Sequence, residues 1–356
     1  MPKEPRDIFE RNDYIKWYYD PELAKDWKNL LKKYSYLFWI HSMNVKDRDH
    51  WIALIEDKKP NIQRTPATPH DAASYAELAV ARRDAYFQIF RAFTEISAKM
   101  AEEVLSGEYM TKLRSALSRI VPEEQLEEHF AALERFREAF ANMKPKKFRR
   151  ELEAERFTIF DDDLMPYISG HESVYRSEKQ IMGDLTAEVK NLYREAGYVL
   201  DKSRGNLPPD EAKLELEFAF RLLEDEIEAW KAGDRESALL ALERQKRFIQ
   251  EHMILWLPYL FDDVANDDFK VGIALKYHGD VRDVEKYKSE EIVEMDFYRS
   301  MAKLAKLYLE HEYRQVEEML NAARKLSTEE LRSALAGVPK ADTSGESTYF
   351  LRMEKK

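Results

Sequence analysis

The sequence predicts an all-α protein, and three observations carry that expectation. Its 356 residues hold only 10 Gly and 13 Pro, few for a chain built of turns and short strands. Glu, Lys, Leu, Ala and Arg dominate, the residues that lose least on entering a helix. From about Tyr75 onward apolar residues recur with a period near 3.6, while segments that alternate apolar and polar are nearly absent. KYSYLFWI at 33–40 is the one serious strand candidate, and helix is an equal reading of it. Hydrophobic residues make up 44% of the chain, enough for a sizeable core.

The elements follow in order. Residues 1–56 are aromatic-rich and carry four of the six tryptophans, Trp17, Trp27, Trp39 and Trp51, which either pack on the core, the expected use, or contact a partner. Asp20-Pro21 before ELAKDWKNLLKKY reads as a helix start, with Asp capping and Pro in the first turn. Residues 57–74 hold three prolines and no apolar period, which marks a linker. Ala85, Ile89, Phe93 and Ile96 then form one stripe, and Leu105, Met110, Leu113, Leu117 and Ile120 continue the pattern. Pro122-Glu123-Glu124 starts a helix carrying Leu126, Phe130, Leu133, Phe136 and Phe140, which MKPKK ends. An acidic loop over 161–171 precedes a helix around 179–196, with Gly197 placed for a left-handed C-terminal cap. Asp210 is expected as the N-cap of the next helix, with Leu214, Phe218, Leu222 and Ile227 inward and Glu217, Arg221, Glu224 and Glu228 on the polar side. Gly233-Asp234 is a turn, and a helix over 235–257 breaks at Pro258. An acidic connection at 262–292 leads to a last strong helix from about 294 to 323, and the terminal KADTSGESTYFLRMEKK is expected to be mobile.

Several chemistries lack their residues. The absence of cysteine removes disulfides, iron–sulfur ligation, cysteine zinc sites and a thiol nucleophile. The scattered glycines form no phosphate-binding loop, and neither HExxH nor GxSxG occurs. None of the eight histidines stands three residues after a glutamate, so the paired Glu-x-x-His of di-iron bundles is missing, and no tightly bound metal and no cofactor are expected. The acidic triplet Asp161–Asp163 reads as a solvated loop rather than a cation site. A net charge of −11 disfavours nucleic acid and anionic lipid and favours cationic peptides. The first residues lack the apolar run of a secretory signal, and no stretch approaches the ~18 apolar residues of a membrane span, so a cytoplasmic protein without membrane insertion is expected. A helical, cysteine-free chain without catalytic spacing points to a binding module rather than an enzyme.

Four blocks between Glu155 and Pro258 are more specific. They are Glu155-Arg-Phe-Thr-Ile-Phe160, then His171-Glu172-Ser173-Val174-Tyr175, then Pro208-Pro209-Asp210-Glu211 through Glu215-Leu216, then Phe248, His252, Trp256 and Pro258 at a fixed spacing. In order and separation they resemble the TorD/DmsD/NarJ family of redox-enzyme maturation chaperones. ARRDAYFQIFRAF resembles the first family helix and FYRSMAKLAKLYLEHE the last, so the resemblance covers roughly 78–320. Where the family motif carries a histidine after Pro-Asp, this chain has Glu211, an anion suited to an arginine-rich peptide.

The resemblance implies a single large TorD-like helical bundle with an added aromatic N-terminal segment. The expected units are an N-terminal extension and linker over 1–74, the chaperone domain over 75–325 with an insertion at 262–292, and a tail over 326–356. It implies a chaperone with no reaction of its own. Its partner would be the precursor of a molybdopterin-containing oxidoreductase subunit, held through a twin-arginine signal peptide or as apoprotein. Two alternatives are a NarJ-like factor acting on the folded subunit and a helical nucleotide-binding regulator. Monomer and homodimer both remain open. The implied client site comprises Phe160, His171, Glu172, Ser173, Tyr175, Pro208, Pro209, Asp210, Glu211 and Glu215. Phe160 and Tyr175 either wall a groove or fill the core, and Ser173 would cap the following helix. Phe248, His252, Trp256 and Pro258 are assigned to architecture first.

Overall fold

The computed structural model describes residues 67–160, 168–176, 183–201, 203, 207–265, 296–343 and 349–354. The N-terminal aromatic segment, the strand candidate at 33–40, the triplet Asp161–Asp163 and most of the 262–292 insertion lie outside these residues. Of the described residues 77% are helical, far above the ~30–35% of an average globular protein, so the all-α class holds.

Helix α1 spans Ala72–Phe93 and starts at a capping box in which Asp71 and Ser74 exchange hydrogen bonds. Residues just before it are pinned too, since Ala67 exchanges two backbone bonds with the Gln315 amide. The stripe read as continuous over 105–120 divides into α2, Ala98–Ser106, and α3, Glu108–Leu117. Gly107 makes that corner at φ 84°, a conformation other residues resist. Next come α4, Glu123–Phe140, and α5, Pro145–Phe160, then the single turn α6, Glu172–Tyr175, and α7, Asp184–Glu195. Gly197 closes α7 at φ 86°, the left-handed cap the sequence predicts. After β1, Tyr198–Leu200, follow α8, Ala212–Ala232, and α9, Arg235–Phe248. A π turn, Ile249–Met253, leads into α10, Ile254–Ala265, and the chain ends with α11, Asp296–Lys325, α12, Thr328–Leu335, and β2, Leu351–Met353.

Helix α8 is central and packs on α1, α9 and α12, while α11 packs on α4, α9 and α10. The predicted break at Pro258 is not there: α10 runs through the proline to Ala265. Burial of Leu255, Trp256, Leu257, Leu260 and Phe261 outweighs the one amide missing from the ladder. The departure from α geometry comes one turn earlier, at the π turn.

Inside the bundle Arg82 of α1 is fully buried. Its Nε and Nη2 donate to Glu312 of α11 at 2.8 and 2.6 Å, and Nη2 also donates to Gln245 of α9 at 2.7 Å. Its Nη1 lies 3.7 Å from Glu226 of α8, which accepts from Tyr75 at 2.6 Å and Gln245 at 2.9 Å.

The end of the chain differs from the mobile tail expected of it. Strand β2 pairs antiparallel with β1, Leu351 opposite Leu200 and Met353 opposite Tyr198. Phe350 and Leu351 are buried. Glu217, expected on the polar side of α8, is buried beneath them and accepts from the Phe350 amide at 2.7 Å and the Leu351 amide at 3.2 Å. The Arg221 guanidinium lies 4.2 Å from the Tyr349 ring. The returning strand thus converts a polar helix face into an interior one. Helix α12 was also unforeseen, though its Ser327/Glu330 capping box is a readable signal.

Burial raises the Glu217 carboxyl to about 7, against the opposing pull of Arg221 and the two amides. The folded protein therefore binds this proton more tightly than the unfolded chain, and stability falls as pH rises from ~4.5 to ~7. A rigid site would lose ~3.4 kcal/mol over that window; undocking of the strand resolvates the group and holds the loss to ~2 kcal/mol. Denaturant unfolding between pH 5 and 8 is expected to show that slope in the native sequence and a slope smaller by ~2 kcal/mol in Glu217→Gln, which keeps an acceptor but cannot ionise. Equal slopes in the two proteins would remove Glu217 as the source.

Candidate functional site

The second and third sequence blocks meet at one junction. His171 and Glu211 form an antiparallel bridge. The Glu172 amide donates to the Asp210 carbonyl at 2.9 Å, and the Ala212 amide to the Gly170 carbonyl at 2.8 Å. This pairing aims Asp210 across the junction rather than at its own helix. The N-cap of α8 is Glu211, with no side-chain cap bond. Asp210 Oδ2 instead accepts from the Ser173 amide of α6 at 3.0 Å, and Oδ1 accepts from the Thr186 hydroxyl of α7 at 3.1 Å. Asp210 therefore caps a neighbouring helix start, where the free amides of α6 lie directly opposite. Ser173 is likewise reversed from its expected role: its amide is capped, and its buried Oγ has no hydrogen-bond partner among the described residues.

The fourth block closes the junction from behind. Glu172 is fully buried on α6 and accepts from Arg176 and from His252 Nδ1, the latter at 3.0 Å. His252 is itself fully buried and stacks on Phe248, ring centroids 5.4 Å apart. Trp256 Nε1 donates to Glu215 Oε2 at 2.9 Å. Burial first, and the adjoining Glu172 second, push the Glu215 carboxyl well above the usual carboxylate range. The Tyr175 ring lies against Trp256 at 5.5 Å, and its hydroxyl donates to Asp263 at 2.7 Å. The Tyr193 hydroxyl donates to the Pro209 carbonyl at 2.8 Å. Phe160 reaches the same helix elsewhere, half-buried against Phe93, whose ring meets Phe261.

Exposure separates these residues into two groups. Glu172, Ser173, Asp210 and Glu215 are fully buried, and Tyr175 and Pro209 are buried. They fix the shape of the segment. His171, Pro208 and Glu211 are half-buried and present side chains at its surface. Glu211, expected as an exposed first-turn charge, is ion-paired with Lys213. Buried polar atoms without a hydrogen-bond partner among the described residues collect here: His171 Nδ1 and Glu211 Oε2 on the bridged pair, beside Ser173 Oγ. Sequence reasoning missed Thr186, Arg176 and Asp263, which complete the bonding from other elements and carry no local motif.

The model of the family described as "Nitrate reductase delta subunit" matches residues 123–262. Residues 123–262 are similar to that family. The matched span runs from the start of α4 into α10 and contains the junction apart from Asp263. The likeness covers less than half of the chain. Helices α1 and α11 lie outside the matched span but supply much of its packing partner surface. Neither the curated proteins nor the solved structures searched contained a match to the chain. Among the described residues no helix is long and apolar enough to cross a membrane.

Proposed function

We propose that the chain holds a cytoplasmic molybdoenzyme precursor at the surface formed by His171, Pro208 and Glu211. The observation that carries this reading is the pair of partnerless buried atoms, His171 Nδ1 and Glu211 Oε2, on bridged neighbours. Leaving such groups unbonded costs roughly 1–3 kcal/mol each, so a ligand supplying donors gains by covering them. A guanidinium fits best: it carries several donors in one plane, and Glu211 supplies the anion. Lys213 competes for that anion in the free protein. The buried acids Glu172, Asp210 and Glu215 act on the client only by holding both segments in register.

The test is titration of the client's N-terminal peptide at two salt concentrations. Glu211→Gln is expected to weaken binding by about three- to tenfold and to reduce its salt dependence. Lys213→Gln is expected to strengthen it, by releasing Glu211. Stability should change by about 1 kcal/mol in either variant, since glutamine at either position still offers a hydrogen-bonding partner to the other residue of this half-buried pair. Unchanged affinity in both folded variants would move recognition to another surface. Binding of the mature subunit with no affinity for the peptide would instead support a NarJ-like factor that needs no signal peptide, the reading to which the matched family's description lends weight.

A further inference from the structure

We infer that Glu188, Glu251 and His252 form a site for a divalent transition-metal ion of the zinc class, behind the junction and independent of client binding. One ligand atom from each of the three lies within 4.8 Å of the others. His252 provides the decisive geometry. Its ring is fully buried, and Nδ1 is committed to Glu172 at 3.0 Å. Because a carboxylate only accepts, that bond places a proton on Nδ1, so in the neutral ring Nε2 carries the lone pair. Nε2 is buried and has no hydrogen-bond partner among the described residues, and it faces Glu188 Oε1 at 3.9 Å. In the neutral ring the Nε2 lone pair faces a carboxylate, an unfavourable contact that a metal ion between them would relieve.

The surroundings match a metal site in further respects. A ligating imidazole whose other nitrogen donates to a carboxylate is the usual outer-shell arrangement, and it fixes both ring orientation and basicity. Glu172 is held in turn by Arg176, which also donates to the Glu251 carbonyl at 2.9 Å. The π turn narrows the angle between successive side chains, so the neighbours Glu251 and His252 converge more than α geometry allows. Tetrahedral bonds of ~2.0–2.2 Å separate ligand atoms by ~3.4 Å, so the 3.9 Å gap needs a closure of about half an ångström. The Glu188 and Glu251 side chains are 41% and 44% exposed and can make that movement. One imidazole and two carboxylates suit zinc better than magnesium or calcium, which prefer oxygen throughout. Arg247 is the competing cation, donating to Glu251 Oε2 at 3.0 Å and leaving Oε1 for an ion. This proposal departs from the expectation of no metal drawn from sequence: the ligands come from α7 and the π turn, a spacing no local motif records.

The experiment is calorimetric titration of ZnCl2 into the chelator-stripped, tag-free full chain at pH 7.5, with MgCl2 as the contrast. Saturable uptake of one zinc ion per chain is expected, and no comparable uptake of magnesium. Glu188→Gln with Glu251→Gln alters two half-exposed side chains and should fold normally by circular dichroism while binding zinc at least about tenfold more weakly. His252→Gln should abolish binding; if its fold suffers, the double variant alone decides. No saturable zinc uptake by the native chain would overturn the site. Full zinc affinity in the folded double variant would overturn it equally, assigning the ion to other histidines.

Discussion

Replacing Arg82 with leucine is expected to destabilise the protein by about 3–5 kcal/mol, near the upper limit for a single substitution. The side chain is fully buried and touches groups on three other helices. Burial already raises the carboxyls of Glu226 and Glu312, and Arg82 is the main influence holding both down. Without it the two acids must take up protons or remain as unpaired charges in the interior. Lysine should recover only part of the loss, because a point charge cannot span Glu312, Gln245 and Glu226 together. Urea unfolding at pH 7 measures the effect. At pH 5 the deficit of Arg82→Leu should shrink, since protonating the orphaned acids then costs less. A triple variant that also carries Glu226→Gln and Glu312→Gln should regain most of the stability, as neutral groups need no counter-charge. A loss below ~1 kcal/mol in Arg82→Leu would mean that α1 is held by apolar packing alone.

That network also shows where sequence reading succeeds and where it stops. The 3.6-residue period places Leu214, Phe218, Leu222 and Ile227 inward on α8, and all four are buried. The same period assigns Glu217 to the polar face, wrongly, because a strand more than 130 residues later covers it. Local pattern reports which face is apolar, not what returns to cover the other one. Arg82 gives the same lesson: a charged residue in helical sequence looks exposed until Glu312, 230 residues away, is brought against it. At the junction the motif spacing was legible, and the blocks do converge. The bonding direction was not, because it depends on the His171–Glu211 bridge turning Asp210 away from its own helix. Ser327 and Glu330 are the opposite case, a capping signal present in the sequence within four residues.

Asp210→Ala is the sharpest test of that junction, with an expected cost of about 3 kcal/mol. An ordinary N-cap contributes ~1 kcal/mol. Asp210 exceeds that figure for two reasons. It is fully buried, and it accepts from two separate segments, the Ser173 amide and the Thr186 hydroxyl. Truncation leaves a buried amide and a buried hydroxyl unbonded, each worth ~1–3 kcal/mol. Asparagine should cost only ~1 kcal/mol, because its carbonyl still accepts from the amide while the Thr186 hydroxyl reverses to accept from its nitrogen. Ser173→Ala should be close to neutral, since the Ser173 Oγ makes no bond that would be lost. Denaturant unfolding gives the three values, and hydrogen exchange of residues 170–176 locates them: Asp210→Ala should expose those amides before the rest of the bundle. The reverse order, with Ser173→Ala costly and Asp210→Ala limited to ~1 kcal/mol, would restore the simple reading of two independent helix caps. The predicted order ties the pair proposed to face a client to the core instead, since His171 and Glu211 keep their register only while Asp210 holds α6 and α7 against the start of α8.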